Sequence, residues 1–323
     1  MPTDLHDYIF GPVPSHRLGR SLGIDPFGTP ANKTCTLDCI FCEVGGTRFQ
    51  TEEPFAQPNP IELAQAVENY LGLDPPPDYI TVCGSGEPTL WLGLESFLRR
   101  LRETIHTPLA VITNSTTLHR DYVRRALSHA HVILPTLTTV DEETFVRIHS
   151  PLFGITAQLC AEGIRLLRQV VAAEIWLEVL LLRGINDSAR GLVNLAEAIR
   201  KINPHRVQIT TLSRPGRLAE LSALGLDDLE RARNILAQSG VPTEIAGSCA
   251  PATEVVAISD EQIASLGAML RLRWVSLPDL AAQLGMDKQT LEQRLSLWFG
   301  DKTLETKRQD GITFLRLKSD ACE

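Results

Sequence analysis

Between residues 60 and 211 the chain alternates two kinds of segment, and that alternation restricts its fold more than any other feature. "IELAQAVENYLGL" carries apolar residues at helical spacing, and "DYITVCG" is a β-branched run that ends in glycine. The pairing recurs as helix "LGLESFLRRLRETI", strand "LAVITN", helix "HRDYVRRALSHA" and strand "HVILPTL". Two helices follow, "DEETFVRIH" with acidic residues in its first turn and "AQLCAEGIRLLRQV". Strand "EIWLEVLLL", helix "NDSARGLVNLAEAIRKI" and strand "RVQITTL" close the series. The strands are continuous apolar runs, the pattern of a parallel sheet covered on both faces by helices. With a first strand near "SLGID" this predicts about six β/α units. The expected fold is therefore α/β, a partial (β/α)6 TIM-like barrel, with ligands at the C-terminal ends of the strands.

A chain of 323 residues has room for such a core and a small appendage. The rhythm changes after "VPTEIAGSCAPATEVVAIS", so a boundary is expected near residue 254, dividing a core of residues 1–253 from a tail of residues 254–323. The tail reads as three helices and a hairpin around Gln309-Asp310-Gly311, which predicts a winged-helix module. Winged helices often bind nucleic acid through the third helix, here "DKQTLEQRLSLWFG". Residues 255–323 hold nine basic and ten acidic groups, a net of −1, which argues against DNA as a partner. Packing, protein contact or docking of an RNA substrate fits that balance better.

The stretch "CTLDCIFC" puts Cys35, Cys39 and Cys42 into eight residues, while Cys83, Cys160, Cys249 and Cys322 are scattered. Seven cysteines make a poor disulfide framework and fit a reducing compartment. The first twenty residues lack the charged start and apolar core of a signal peptide, and a glutamate interrupts the longest apolar run. With a net charge of −8, the sequence is expected to be cytoplasmic, with no membrane partner and no broad non-specific affinity for nucleic acid. A structural zinc site wants four ligands, and no second CxxC arm exists here. A zinc reading thus needs a distant fourth ligand. The spacing Cys-x3-Cys-x2-Cys alternatively supplies three thiolates to a [4Fe–4S] cluster and leaves the fourth iron open.

With its aromatic residue before the third cysteine, Cys35-Thr-Leu-Asp-Cys39-Ile-Phe-Cys42 resembles the signature of radical S-adenosylmethionine (radical SAM) enzymes. The resemblance covers roughly residues 8–215. It implies a cluster on Cys35, Cys39 and Cys42 whose open iron chelates S-adenosylmethionine. Reductive cleavage then yields a 5′-deoxyadenosyl radical that abstracts hydrogen from substrate, with electrons from a donor such as flavodoxin or ferredoxin. "GSGEPT" stands where that family has a Gly-Gly-Glu-like motif, which assigns Gly84, Ser85, Gly86 and Glu87 to the cofactor's methionine amino group. As a phosphate-binding loop the segment fails, since it lacks a third glycine and opens no capped helix in the sequence. Asn114, in "ITNST", is a cofactor contact by the same resemblance or a turn asparagine. In "LLLRGINDS", Arg183 is expected to touch a carboxylate or phosphate, and Asn186 and Asp187 to meet the cofactor or cap a helix.

The leader "FGPVPSHRLGRSLGID" is similar to that of a subgroup placed with the wyosine-type tRNA-guanine enzymes. Those enzymes carry a cysteine where this chain has Leu18, and extra N-terminal cysteines for a second cluster. The second cluster is therefore expected to be absent. Thr136-Leu137-Thr138 also stands where subgroup members often have Ser-Leu-Asp. His16, Arg17 and Arg20 are either contacts for a phosphate or carboxylate or ordinary surface groups. Cys83 is expected to pack on a buried strand, and Cys249 to lie near the barrel's end with a cluster-adjacent or substrate role open to it. Cys160 and Cys322 carry no functional signal. The expected function is radical SAM chemistry on a substrate left open: a tRNA base, a small metabolite or a peptide. The alternative is an iron–sulfur redox sensor acting through the winged helix.

Overall fold

The computed structural model describes residues 5–15, 17–71, 76–246, 260–284, 286–300, 303–309 and 311–318. In chain order its strands are β1 (Ile9–Ser15), β2 (Gly19–Ile24), β3 (Thr34–Cys35), β4 (Phe49–Gln50), β5 (Tyr79–Val82), β6 (Leu109–Thr113) and β7 (Val132–Pro135). They continue with β8 (Glu174–Leu181), β9 (Arg206–Thr211), β10 (Thr243–Ile245), β11 (Val275–Ser276), β12 (Leu304–Gln309) and β13 (Ile312–Leu317). The helices are α1 (Pro60–Tyr70), α2 (Leu94–Thr104), α3 (Asp121–Leu127), α4 (Glu142–His149) and α5 (Ala157–Val170). After them come α6 (Ala189–Ile202), α7 (Leu226–Leu236), α8 (Asp260–Leu272), α9 (Leu277–Gln283) and α10 (Lys288–Phe299).

One eight-stranded sheet has the order β1-β2-β5-β6-β7-β8-β9-β10. From β2 onward every pairing is parallel, and no pair joins β1 to β10 among the described residues. The result is an α/β partial barrel with six helical crossovers, from α1 through α7. Strand interiors such as Ile24, Ile80, Val111, Ile133, Leu177 and Ile209 are fully buried, which is why these segments read as unbroken apolar runs. Each of α1 to α7 contributes an apolar stripe to the same core, as Leu192, Leu195 and Ile199 do on α6. Helix starts are set by side-chain caps: Asp141 accepts from Thr144 N, Thr156 from Leu159 N and Ser188 from Gly191 N.

Two features depart from the sequence expectation. β1 pairs antiparallel with β2 and arises from the proline-rich leader. A strand holding Pro12 and Pro14 is tolerable at a sheet edge, where missing N–H groups break no ladder. At the other end "RVQITTL" does not close the series, because α7 returns the chain to β10, a three-residue strand paired with β9.

The tail supplies three helices and the expected hairpin, β12 with β13, to which β11 adds a third antiparallel strand. The proposed boundary at residue 254 lies outside the described residues. Leu266, Met269, Leu270, Leu291 and Leu315 form a second core together with Phe10 and Val13 of β1. β1 is thus the seam between sheet and tail. Val44 and Cys83 also pack against this second core, which brings the tail to the rim where the cysteine loop lies.

Candidate functional site

The loop after β2 carries the three cysteines and is stitched down from several directions. β3 pairs with β4, Asp38 N donates to His149 O at 2.8 Å, and Ile40 N donates to Ile148 O at 2.9 Å. The Thr36 and Thr116 hydroxyls meet at 2.8 Å. From the far end of the sheet, residues 212–218 lie across the loop as a strap. Leu218 N donates to Ile40 O, Arg214 pairs with Glu43 at 3.1 Å, and Arg217 pairs with Asp38 at 3.4 Å. Gly216 fits so closely over Phe41 that a Cβ would stand 2.9 Å from its Cα.

Cys35, Cys39 and Cys42 line one cavity of about 220 Å³, together with Gly84, Gly86, Glu87 and Asn114. Each sulfur has its own polar neighbour. Asn114 Nδ2 is 3.4 Å from Cys35 Sγ, His149 Nδ1 is 3.0 Å from Cys39 Sγ, and Lys33 Nζ is 3.1 Å from Cys42 Sγ. Burial, with Glu87 nearby, pushes the Cys35 thiol up to about 12. Burial and the neighbouring cysteines hold Cys39 well above the usual thiol range. Uncompensated thiolates are therefore costly here, and bound iron is the sort of charge that removes such protons. Among the described residues no three His, Cys, Asp or Glu side chains converge on a single ion. A cluster takes each thiolate on a separate iron, so sulfurs spread around a cavity suit it better than they suit one zinc ion.

The "GSGEPT" loop follows β5 and forms another wall. Gly84 has φ +126°, and a Cβ there would lie 2.4 Å from the Asp25 carboxyl carbon. A Cβ on Gly86 would sit 2.0 Å from Thr34 O. Asp25 is buried and accepts from Phe27 N, Ser85 N and Ser85 Oγ; burial raises its carboxyl to about 6 against those bonds. Ser85 is consequently turned into the protein and fully buried. Glu87 is 1% exposed, and its oxygens accept from Thr89 N, Thr89 Oγ1, Thr113 Oγ1 and Asn114 N. It joins the loop to the end of β6, and burial raises its carboxyl above the usual range. Contrary to the sequence expectation, Glu87 does cap a short 3-10 turn at Pro88–Leu90.

The "LLLRGINDS" segment stands apart. Arg183 is half-exposed, pairs with Asp228 at 3.0 Å and donates from Nε to Ala223 O. Asn186 braces the chain, accepting from Leu182 N and donating to Thr138 O and Leu180 O. Asp187 accepts from Gly184 N, and the cap of α6 is Ser188 rather than either neighbour. Thr136 and Arg17 both meet Glu178, at 2.9 and 2.7 Å. Thr138 Oγ1 lies 2.7 Å from His149 Nε2. Leu18 is core, as is Cys160, while Cys83 reaches the cavity wall. Arg20 N donates to Asp78. His16, Cys249 and Cys322 lie outside the described residues. Lys33, His149 and Asp25 were not anticipated, for nothing in "NKTC", "RIHS" or "GIDP" points to a cavity.

Residues 30–196, just over half of the chain, match the Radical SAM superfamily. The chain belongs to that superfamily. Radical SAM enzymes use a [4Fe–4S] cluster and S-adenosylmethionine. The chain is 35% identical over 229 residues to a protein from Brachyspira hyodysenteriae named GTPase Obg, covering 70% of this chain and 33% of that one. It is 31% identical over 210 residues to a UPF0026 protein of Helicobacter pylori, covering 64% of this chain and 67% of the relative. The chain thus spans a third of the first relative's length and two thirds of the second's. In fold it is similar to a radical SAM methyltransferase from Sphaerobacter thermophilus, with a TM-score of 0.52 at 17% identity over 70% of this chain and 65% of that one. No described helix is long and apolar enough to cross a membrane.

Proposed function

We propose that Cys35, Cys39 and Cys42 hold one [4Fe–4S] cluster, and that S-adenosylmethionine binds beside it against Gly84, Gly86 and Asn114. When bound, the cluster supplies one electron for reductive cleavage of S-adenosylmethionine, the superfamily's route to hydrogen abstraction. The observation that carries this reading is the shared cavity: three thiols with separate polar neighbours face a glycine loop too tight for side chains. The chain's own groups orient and shield. Gly84 and Gly86 leave backbone open to an ammonium group, and Glu87 and Ser85 fix that loop rather than touch the ligand directly. Asn114, bonded to Thr36 at 3.0 Å and 3.4 Å from the Cys35 sulfur, would help to hold the cofactor beside the cluster. Arg183 and Asn186 brace the barrel's end in this reading.

The substrate is a molecule bearing an abstractable hydrogen. The leader's similarity to the wyosine-type subgroup makes a tRNA base the first class to test, ahead of a small metabolite or a peptide. A flavodoxin or ferredoxin fits as electron donor and the cytoplasm as the compartment. The tail, read as a winged helix beginning near residue 254, serves the core rather than DNA. The test is anaerobic: reconstitute the full chain with iron and sulfide, add dithionite and S-adenosylmethionine, and quantify 5′-deoxyadenosine by mass spectrometry. Product in wild type and none in Cys39→Ala supports the reading. A formed cluster without cleavage moves the redox-sensor reading ahead.

A further inference from the structure

Lys33 is a buried lysine that no carboxylate answers. It is 3% exposed and lines the cavity shared by the three cysteines. Its backbone is pinned on both sides: Lys33 N donates to Pro30 O at 3.1 Å, and Phe49 N donates to Lys33 O at 3.0 Å. From that fixed root the side chain crosses the cysteine loop. Nζ donates to Gly45 O and to Cys42 Sγ, the latter at 3.1 Å.

The acidic groups of the loop and the cavity wall are already engaged. Asp38 pairs with Arg217, Glu43 with Arg214 and Glu178 with Arg17, while Glu87 accepts four hydrogen bonds of its own. No carboxylate stands in ion-pair contact with Lys33 among the described residues. A buried charge is costly unless an opposite charge faces it, and neither a thiol nor a carbonyl carries one. The charge that Lys33 faces therefore belongs to whatever the cysteines hold as thiolates. The other two sulfurs are met differently, by the Asn114 amide at Cys35 and the His149 imidazole at Cys39. Lys33 is the one ammonium of the three. A [4Fe–4S] cluster on three thiolates is an anion, and it becomes more negative when it takes up an electron.

We propose that Lys33 is the counter-ion of the cluster: its ammonium, fixed at Cys42, favours the more negative reduced state and so sets how readily the site accepts an electron. The proposal deepens the cofactor reading above and rests on it. The step concerned is one-electron reduction of the cluster by an external low-potential donor, with no bond made or broken in the protein. Lys33 meets a ligand sulfur and not the reacting atoms, so it is a positioning residue. Its bond to Gly45 O also ties the two ends of the cysteine loop together, and a mere clamp would act through that bond without moving the potential.

The test is an EPR-monitored redox titration of the full chain, reconstituted anaerobically with iron and sulfide, with dithionite as reductant. Wild type, Lys33→Gln and Lys33→Arg are compared. Glutamine keeps a donating NH2 without the charge, and arginine keeps both. At a fixed potential the reduced-to-oxidised ratio is expected to fall about tenfold or more in Lys33→Gln, a shift of about 59 mV for one electron. Lys33→Arg should recover most of it. Equal midpoints in wild type and Lys33→Gln overturn the proposal and leave Lys33 a clamp. An equal fall in both variants overturns it too, since charge would then not be the cause. Should Lys33→Gln take up no cluster, Lys33→Arg decides: it must load iron and sulfide and titrate within about tenfold of wild type, and failing either overturns the proposal. Wild type that forms no cluster overturns the cofactor reading together with this one. A wild-type cluster whose potential ignores Lys33 overturns this one alone.

Discussion

His149 and Cys39 are 110 residues apart in sequence, yet Nδ1 of the one lies 3.0 Å from Sγ of the other. The ring is 4% exposed, and Phe41 meets it edge-on at 5.7 Å between centroids. Burial lowers its pKa to about 3, so the imidazole is neutral at ordinary pH and one nitrogen carries the hydrogen. In the tautomer with its hydrogen on Nδ1 the ring faces the sulfur as a donor, and the Thr138 hydroxyl, 2.7 Å from Nε2, then serves as donor to the other nitrogen.

Donation to a ligand sulfur stabilises the more negative, reduced cluster and raises its potential. His149→Ala is therefore expected to lower the midpoint potential by on the order of tens of millivolts. Thr138→Val should shift it the same way by less, since it frees the tautomer without removing the ring. An EPR-monitored redox titration reads both, and potentials equal to wild type would remove His149 from the site's electronics.

The strap makes a steric prediction. Gly216→Ala puts a methyl group 2.9 Å from the Phe41 backbone, where no flexible side chain can yield. Overpacking of this kind costs about 1–3 kcal/mol, and here it pushes the strap off the cysteine loop. Iron and sulfide per chain after reconstitution should fall, while the unfolding midpoint drops modestly. Full cluster content in the variant would show that the strap does not hold the loop.

Glu87→Gln tests whether the carboxylate is a fastener. Four donors converge on its oxygens, so either orientation of the amide sets an NH2 against an N–H or O–H. A loss of about 1–3 kcal/mol is expected, together with weaker S-adenosylmethionine binding as Asn114 shifts. Denaturant unfolding and equilibrium dialysis separate the two effects. Normal stability with lost binding would instead make Glu87 a direct ligand contact.

Asp25 gives a pH signature. Its carboxyl is raised from 3.8 to about 6 in the fold, chiefly by burial, so the folded chain holds that proton more tightly than the unfolded one. Its contribution to stability is full below the lower value and is lost as pH rises through the upper one. Asp25→Asn removes that loss, and the Ser85 hydroxyl can turn to accept from the new amide. Relative to wild type, the variant should gain stability between about pH 4 and about pH 6, by at most about 3 kcal/mol. Urea unfolding of the metal-free chain at both ends of that window checks it. A pH-independent difference would mean that Asp25 does not titrate in the fold.

The barrel was legible because a parallel strand buried on both faces must be apolar throughout, as Ile80 and Val82 or Leu177 and Val179 are. The cysteine trio was legible because its ligands are local. β1 was hidden by Pro12 and Pro14, whose edge position no local pattern reveals, and β10 by its length of three residues. Lys33 and Asp25 lie near the cysteines in sequence but in no pattern that marks them, and His149 reaches Cys39 only through the fold, 110 residues further on. Asn186 shows the converse: a segment chosen by resemblance, whose amide is spent on backbone groups.

The placement of β1 bears on how the tail can be studied at all. With Phe10 and Val13 turned into the second core, the tail is lid to an edge that would otherwise offer unpaired backbone and bare apolar side chains to a second copy. Cutting the chain near residue 254 would then produce a sticky sheet rather than a smaller enzyme. Lost turnover in such a truncation would report on self-association before it reported on recognition, which makes single substitutions within the tail the cleaner instrument.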